Sequence, residues 1–158
     1  MRACALECLA LAQIEVGCLE DARESTEAVI ADYKRLSREE HEYPRVYEGV
    51  YDLAKSTAEC LLAHIMAKQG DLAAATETLR SAVESLRWLA QNDMTTRIPN
   101  LVWALELFAE VLYRAEQYQE ALGVLDEICA LRRDDLYLLA GPIHDAIQRT
   151  KSRRGEVL

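Results

Sequence analysis

Apolar residues recur every three or four positions along most of this chain, and the recurrence breaks at short polar corners. That spacing places them on one face of a helix. It predicts helices over 3–16, 19–37, 45–69, 72–91, 99–115 and 118–132, with a last one over 142–153. The third carries Tyr47, Val50, Tyr51, Ala54, Ala58, Leu61 and Ile65, and the fifth Leu101, Ala104, Leu105, Phe108, Ala109 and Leu112. The first is thinner, with Leu6, Leu9, Ala10 and Gln13 toward its partner and Ile14 near the rim. Strand-like alternation is absent, so the expected class is all-α.

The clearest corner lies within Leu62–Ala82. Gly70 suits the end of one helix because glycine alone enters the left-handed region without steric cost. Asp71 then suits the start of the next, where its carboxylate accepts backbone N–H groups. Small residues at Ala63, Ala75 and Ala82 let two helices approach closely, and Leu62, Met66, Leu72 and Leu79 fill the seam. Elsewhere, Ser37 to Pro44 reads as a polar connection, with a Ser37–Glu40 capping box. Residues 91–96 form a turn-rich linker, and Pro99 stands at a helix start. Asp135–Leu139 reads as a short turn, and Gly141-Pro142 as a stop followed by the terminal helix.

The corner's skeleton occurs three times. It is Leu62-Ala63, Met66, Gly70, Leu72, Ala75, Leu79, Ala82 in the middle of the chain. Before it comes Leu9-Ala10, Gln13, Gly17, Leu19, Ala22, Thr26, Val29; after it, Phe108-Ala109, Leu112, Glu116, Tyr118, Ala121, Leu125, Ile128. This pattern resembles the tetratricopeptide repeat, over roughly 3–36, 56–89 and 102–135. The copies start about 50 residues apart rather than the family's roughly 34, and the usual proline after the second helix is replaced by Lys34, Arg87 and Arg133. Longer helices account for both departures and bring the chain nearer the long-helix relatives of bacterial signalling ATPases and transcription regulators. The resemblance implies one domain over 1–158, a right-handed α-α superhelix of three antiparallel hairpins, with residues 142–153 as a capping helix that such arrays use for solubility.

Composition narrows the function. A net charge of −9 disfavours general nucleic-acid binding, which draws its affinity from lysines and arginines. The basic tail Arg149, Lys151, Arg153, Arg154 reads as cations favoured by the end of a helix. The five cysteines, Cys4, Cys8, Cys18, Cys60 and Cys129, contain no Cys-x-x-Cys and read as reduced, buried thiols. No apolar run approaches a membrane span and nothing resembles a signal peptide, so the expected location is cytoplasmic. His41, His64 and His144 are isolated, acidic pairs such as Glu39-Glu40 read as solvated helix ends, and phosphate loops and nucleophile elbows are missing. The expectation is a non-enzymatic chain with no metal and no cofactor.

What remains is recognition. The resemblance implies a concave groove lined by the first helix of each pair. Carried onto this sequence it holds Cys4, Glu7, Leu11 and Glu15, then Thr57, Cys60, His64 and Lys68, then Trp103, Glu106, Glu110, Tyr113 and Arg114. The binding residues expected of it are His64, Lys68, Trp103, Glu106, Glu110, Tyr113 and Arg114. The lysines and asparagines with which co-chaperone members grip a terminal carboxylate are not at these places. The expected role is a protein–protein interaction module, a regulatory or scaffold segment of a signalling protein. Its expected partner is a protein or peptide carrying basic and apolar residues, not nucleic acid or membrane. Two alternatives stand beside it: an effector-sensing domain for a peptide or small molecule, and an oligomerisation piece that self-associates through the ends of the stack.

Overall fold

A computed structural model describes residues 2–42, 49–92 and 94–133. These residues form six helices: α1 (Arg2–Glu15), α2 (Leu19–Glu42), α3 (Val50–Gln69), α4 (Leu72–Asn92), α5 (Met94–Arg114) and α6 (Tyr118–Arg133). No strand occurs among them. The expected turn at Asp135–Leu139, the Gly141-Pro142 stop, the helix over 142–153 and the basic tail lie outside the described residues. So do Tyr47 and the expected beginning of the third helix.

Three corners share one hydrogen-bond pattern. After α3, the N–H of Gly70 donates to the Ala67 carbonyl (3.2 Å) and that of Asp71 to Met66 (3.0 Å). After α1, Gly17 donates to Ile14 (3.1 Å) and Cys18 to Gln13 (2.8 Å); after α5, Glu116 donates to Tyr113 (3.1 Å) and Gln117 to Leu112 (2.9 Å). This paired arrangement satisfies carbonyls that a helix end leaves open, and it requires a left-handed residue at the corner. Gly17 has φ 82° and Gly70 φ 92°, while Glu116 adopts φ 61° with a side chain attached. Asp71 caps α4 by accepting from the Ala74 N–H at 3.1 Å.

Each helix packs on the next in sequence, and α3 also packs on α5. A pair of alanines flanks each corner. Ala10 and Ala22, Ala63 and Ala75, and Ala109 and Ala121 are all buried. A continuous apolar cluster runs from Cys60 on α3 to Ile128 on α6, with Leu79, Leu86, Leu105 and Leu112 among its buried side chains. On the outside, Arg80 and Arg87 of α4 reach Glu120 and Glu127 of α6 at 3.0 and 2.6 Å. The seven-residue spacing on both helices sets α4 and α6 in parallel register. Arg80 also lies over the Phe108 ring, 5.9 Å from its centroid.

Several expectations change. Residues 37–42 continue α2 rather than forming a connection, and Ser37 is no cap: its hydroxyl donates to Asp52 of α3 at 2.7 Å. An Arg35–Glu39 ion pair one turn apart supports the extension. The linker over 91–96 is also largely helical, because α5 begins at Met94 and takes Pro99 inside it. Proline there forfeits only the bond to the Thr95 carbonyl, within the second turn, and the neighbouring Ile98 is buried in the core. Leu9 is 47 % exposed rather than part of a seam. Cys8 and Cys18 are exposed rather than buried, Cys129 is partly covered, and Cys60 alone of these four is buried.

Candidate functional site

Counting back from the corner residues Gly17, Gly70 and Glu116 puts the expected groove residues in register. Thirteen positions before the corner stand Cys4, Thr57 and Trp103; six before, Leu11, His64 and Glu110; two before, Glu15, Lys68 and Arg114. These spacings fall within a narrow stripe of each helix, because residues seven and eleven apart nearly eclipse at about 100° per residue. A different line, ten positions before the corner, holds Glu7, Cys60 and Glu106. Its members turn toward the stack. Cys60 is fully buried, Glu106 is half-buried, and Glu7 hydrogen-bonds Tyr33 of α2. The carboxyl of Glu7 is raised above its ordinary value by burial, which outweighs that bond.

The outer stripes of α3 and α5 come together. His64 is partly buried and its imidazole is held below the ordinary value by loss of solvent and then by the charge of Lys68. Glu110 pulls the other way, and Arg114 adds to the depression. Four of the seven expected binding residues therefore share one electrostatic neighbourhood. Lys68, Glu110 and Arg114 are exposed on it, as is Trp103 further along α5, at 39 %.

Arg114 has a second role. Its guanidinium donates to the Ala67 carbonyl at 2.9 Å, across from α5 to the last turn of α3. A cation on the carbonyl end of a helix is favoured by the helix dipole, so Arg114 joins the two stripes. Tyr113 stacks edge-on against Tyr118 across the third corner, with centroids 5.6 Å apart. On α1, Leu11 and Glu15 are exposed. Thr57 spends its hydroxyl on the Leu53 carbonyl at 2.8 Å.

Compared with family models, curated proteins and solved structures, the chain finds no match.

Among the described residues no group of three His, Cys, Asp or Glu side chains could hold a metal, and no helix is long and apolar enough to cross a membrane. Burial pushes the Cys60 thiol up to about 12, helped by the Glu59 charge, so it stays protonated and unreactive. The expected groove held both Glu106 and Glu110; the corner register separates them by depth. Sequence reasoning also missed an open cavity on the back of α3, lined by Asp52, Lys55, Ser56, Glu84, Ser85, Trp88 and Leu89. Those residues fall in two groups, one on α3 and one on α4, and the recurring skeleton includes none of them.

Proposed function

We propose that the chain is a tetratricopeptide-like interaction module, a right-handed stack of antiparallel helical hairpins that recognises a protein segment on its inner face. The observation that supports this reading is the side-by-side packing of α3 and α5, with His64, Lys68, Glu110 and Arg114 in one electrostatic neighbourhood. The recurrence of the corner geometry at Gly17, Gly70 and Glu116 supports the repeat architecture.

The partner segment carries Lys or Arg beside apolar residues. Glu110 offers the exposed carboxylate, Trp103 and Tyr113 offer aromatic contact area, and the net charge of −9 attracts a basic chain over distance. Such binding weakens as salt screens the exposed charges. The test is selection of peptides from a random display library, followed by titration against Glu110→Lys and Glu24→Lys. Selected peptides should be enriched in Lys or Arg next to apolar residues, bind Glu110→Lys about tenfold more weakly, and bind Glu24→Lys unchanged. Peptides without basic residues, or equal binding to Glu110→Lys, would sink the reading.

A further inference from the structure

The cavity on the back of α3 is about 450 Å³, within the size range of small-ligand sites. Asp52, Lys55 and Ser56 project roughly 100–160° around α3 from Thr57, so this site is separate from the interaction face. Its lining is unusual for a surface depression. The side chain of Ser56 is fully buried, and its hydroxyl has no hydrogen-bond partner among the described residues. Such a group costs stability unless something satisfies it. The neighbouring helical hydroxyls of Thr57 and Thr76 instead donate to carbonyls four residues back. Because the side chain is fully buried, a ligand in the cavity reaches this hydroxyl only through a χ1 rotation between staggered positions.

The charges around it are not tied to one another, although Glu84 lies within electrostatic reach of Arg87. Lys55 and Glu84 form no ion pair among the described residues. Asp52 is fixed by the Ser37 hydroxyl at 2.7 Å on one oxygen, which leaves further acceptor capacity on the carboxylate. Trp88, 62 % exposed, supplies an indole wall. One ammonium, two carboxylates and an aromatic face complement a molecule with one anionic and two cationic groups joined by an apolar stem.

We propose that this cavity binds a basic amino acid as a small-molecule ligand, its carboxylate on Lys55, its two cations on Asp52 and Glu84, and its stem along Trp88. The Ser56 hydroxyl donates to the ligand carboxylate and gains the partner it lacks.

The chain has two tryptophans, so Trp103→Phe leaves Trp88 as the only indole reporter. That variant is titrated with L-arginine, L-leucine and 1,4-diaminobutane at constant ionic strength. A saturable change in Trp88 emission with L-arginine is expected. The other two should bind about tenfold more weakly, because each lacks one charged contact. Lys55→Ala should weaken L-arginine about tenfold and leave the diamine unchanged. Ser56→Ala should raise the melting temperature of the free protein, since it removes an unsatisfied buried hydroxyl, and should weaken L-arginine. Absence of a saturable response to L-arginine overturns the proposal. So does equal affinity for the diamine, or a Ser56→Ala variant that binds L-arginine as tightly as the parent.

Discussion

The same corner closes α1 onto α2, α3 onto α4 and α5 onto α6, yet the first pair is held to the molecule by different means from the other two. From Cys60 to Ile128 one apolar cluster is continuous through four helices. The first pair meets α3 through two small clusters instead, one around Val29, Ile30, Tyr33 and Ala58, the other around Ala10, Ala22, Leu61 and Ile65. Hydrogen bonds to carboxylates fill in. Gln69 of α3 donates to Glu20 at 2.7 Å, and Ser37 donates to Asp52 of α3 at 2.7 Å. The outer ion pairs differ as well. In corner register, Arg80–Glu120 corresponds to Glu27 and Ala74, and Arg87–Glu127 to Lys34 and Ser81. The link between α4 and α6 therefore has no counterpart between α2 and α4.

That difference has an energetic direction. Burying a Leu- or Ile-sized side chain contributes about 1.5–3 kcal/mol, much the same as one hydrogen bond to a carboxylate. The larger number of buried apolar side chains over α3–α6 therefore sets the direction. Exposed ion pairs add little, about 0–1 kcal/mol each. Cohesion should thus be greatest over α3–α6 and least at α1.

The largest expected effect tests this directly. Leu112→Ala, in the continuous cluster, should cost about 2–5 kcal/mol by denaturant titration. Leu9→Ala, at an apolar position of α1 that resembles the seam leucines, should change stability by less than about 0.5 kcal/mol. Equal losses would remove the distinction between the regions.

Next come the corners. Gly70→Ala forces a Cβ into a left-handed backbone with open space around it, so the cost is conformational alone, about 1–2 kcal/mol. Glu116→Gly should stabilise by a similar or smaller amount, because the third corner already carries that penalty. A loss at Glu116→Gly would mean that its side chain makes a contact worth more than the backbone relief.

The smallest effect concerns acidity. The folded pKa of His64 lies below its unfolded value, so the unfolded chain binds more protons as pH falls through about 6.5. The His64 contribution to stability is therefore complete above that value and declines as pH falls toward the folded pKa. His64→Asn should flatten this part of the melting-temperature profile relative to wild type. An unchanged slope would place the imidazole in open solvent.

These contrasts also show what the sequence makes legible. The corners could be read because glycine and aspartate have a local conformational reason to stand there, and the alanine pairs because close helix contact admits only small side chains. Leu9 could not be placed by its pattern. Its counterparts Leu62 and Phe108 are covered, Leu62 by the cluster that includes Val29, Ile30 and Tyr33 of α2, and Phe108 by Arg80 of α4. Among the described residues no earlier helix lies over α1. The extension of α2 past Ser37 depends on Asp52, fifteen residues away in sequence, and helical spacing carries no trace of that partner. The site was partly legible for the same reason. The resemblance put Trp103, Glu106, Glu110 and Arg114 on one surface, but the inward turn of Glu106 shows only when the corner register aligns it with buried Cys60.

Amide hydrogen exchange followed along the chain is the most direct test of unequal cohesion. The slowest amides should lie in α4 and α5 and open only with global unfolding, while those of α1 and α2 should exchange through an opening of lower free energy. Equal opening free energies from α1 through α6, moving together when Leu112→Ala is introduced, would contradict the account.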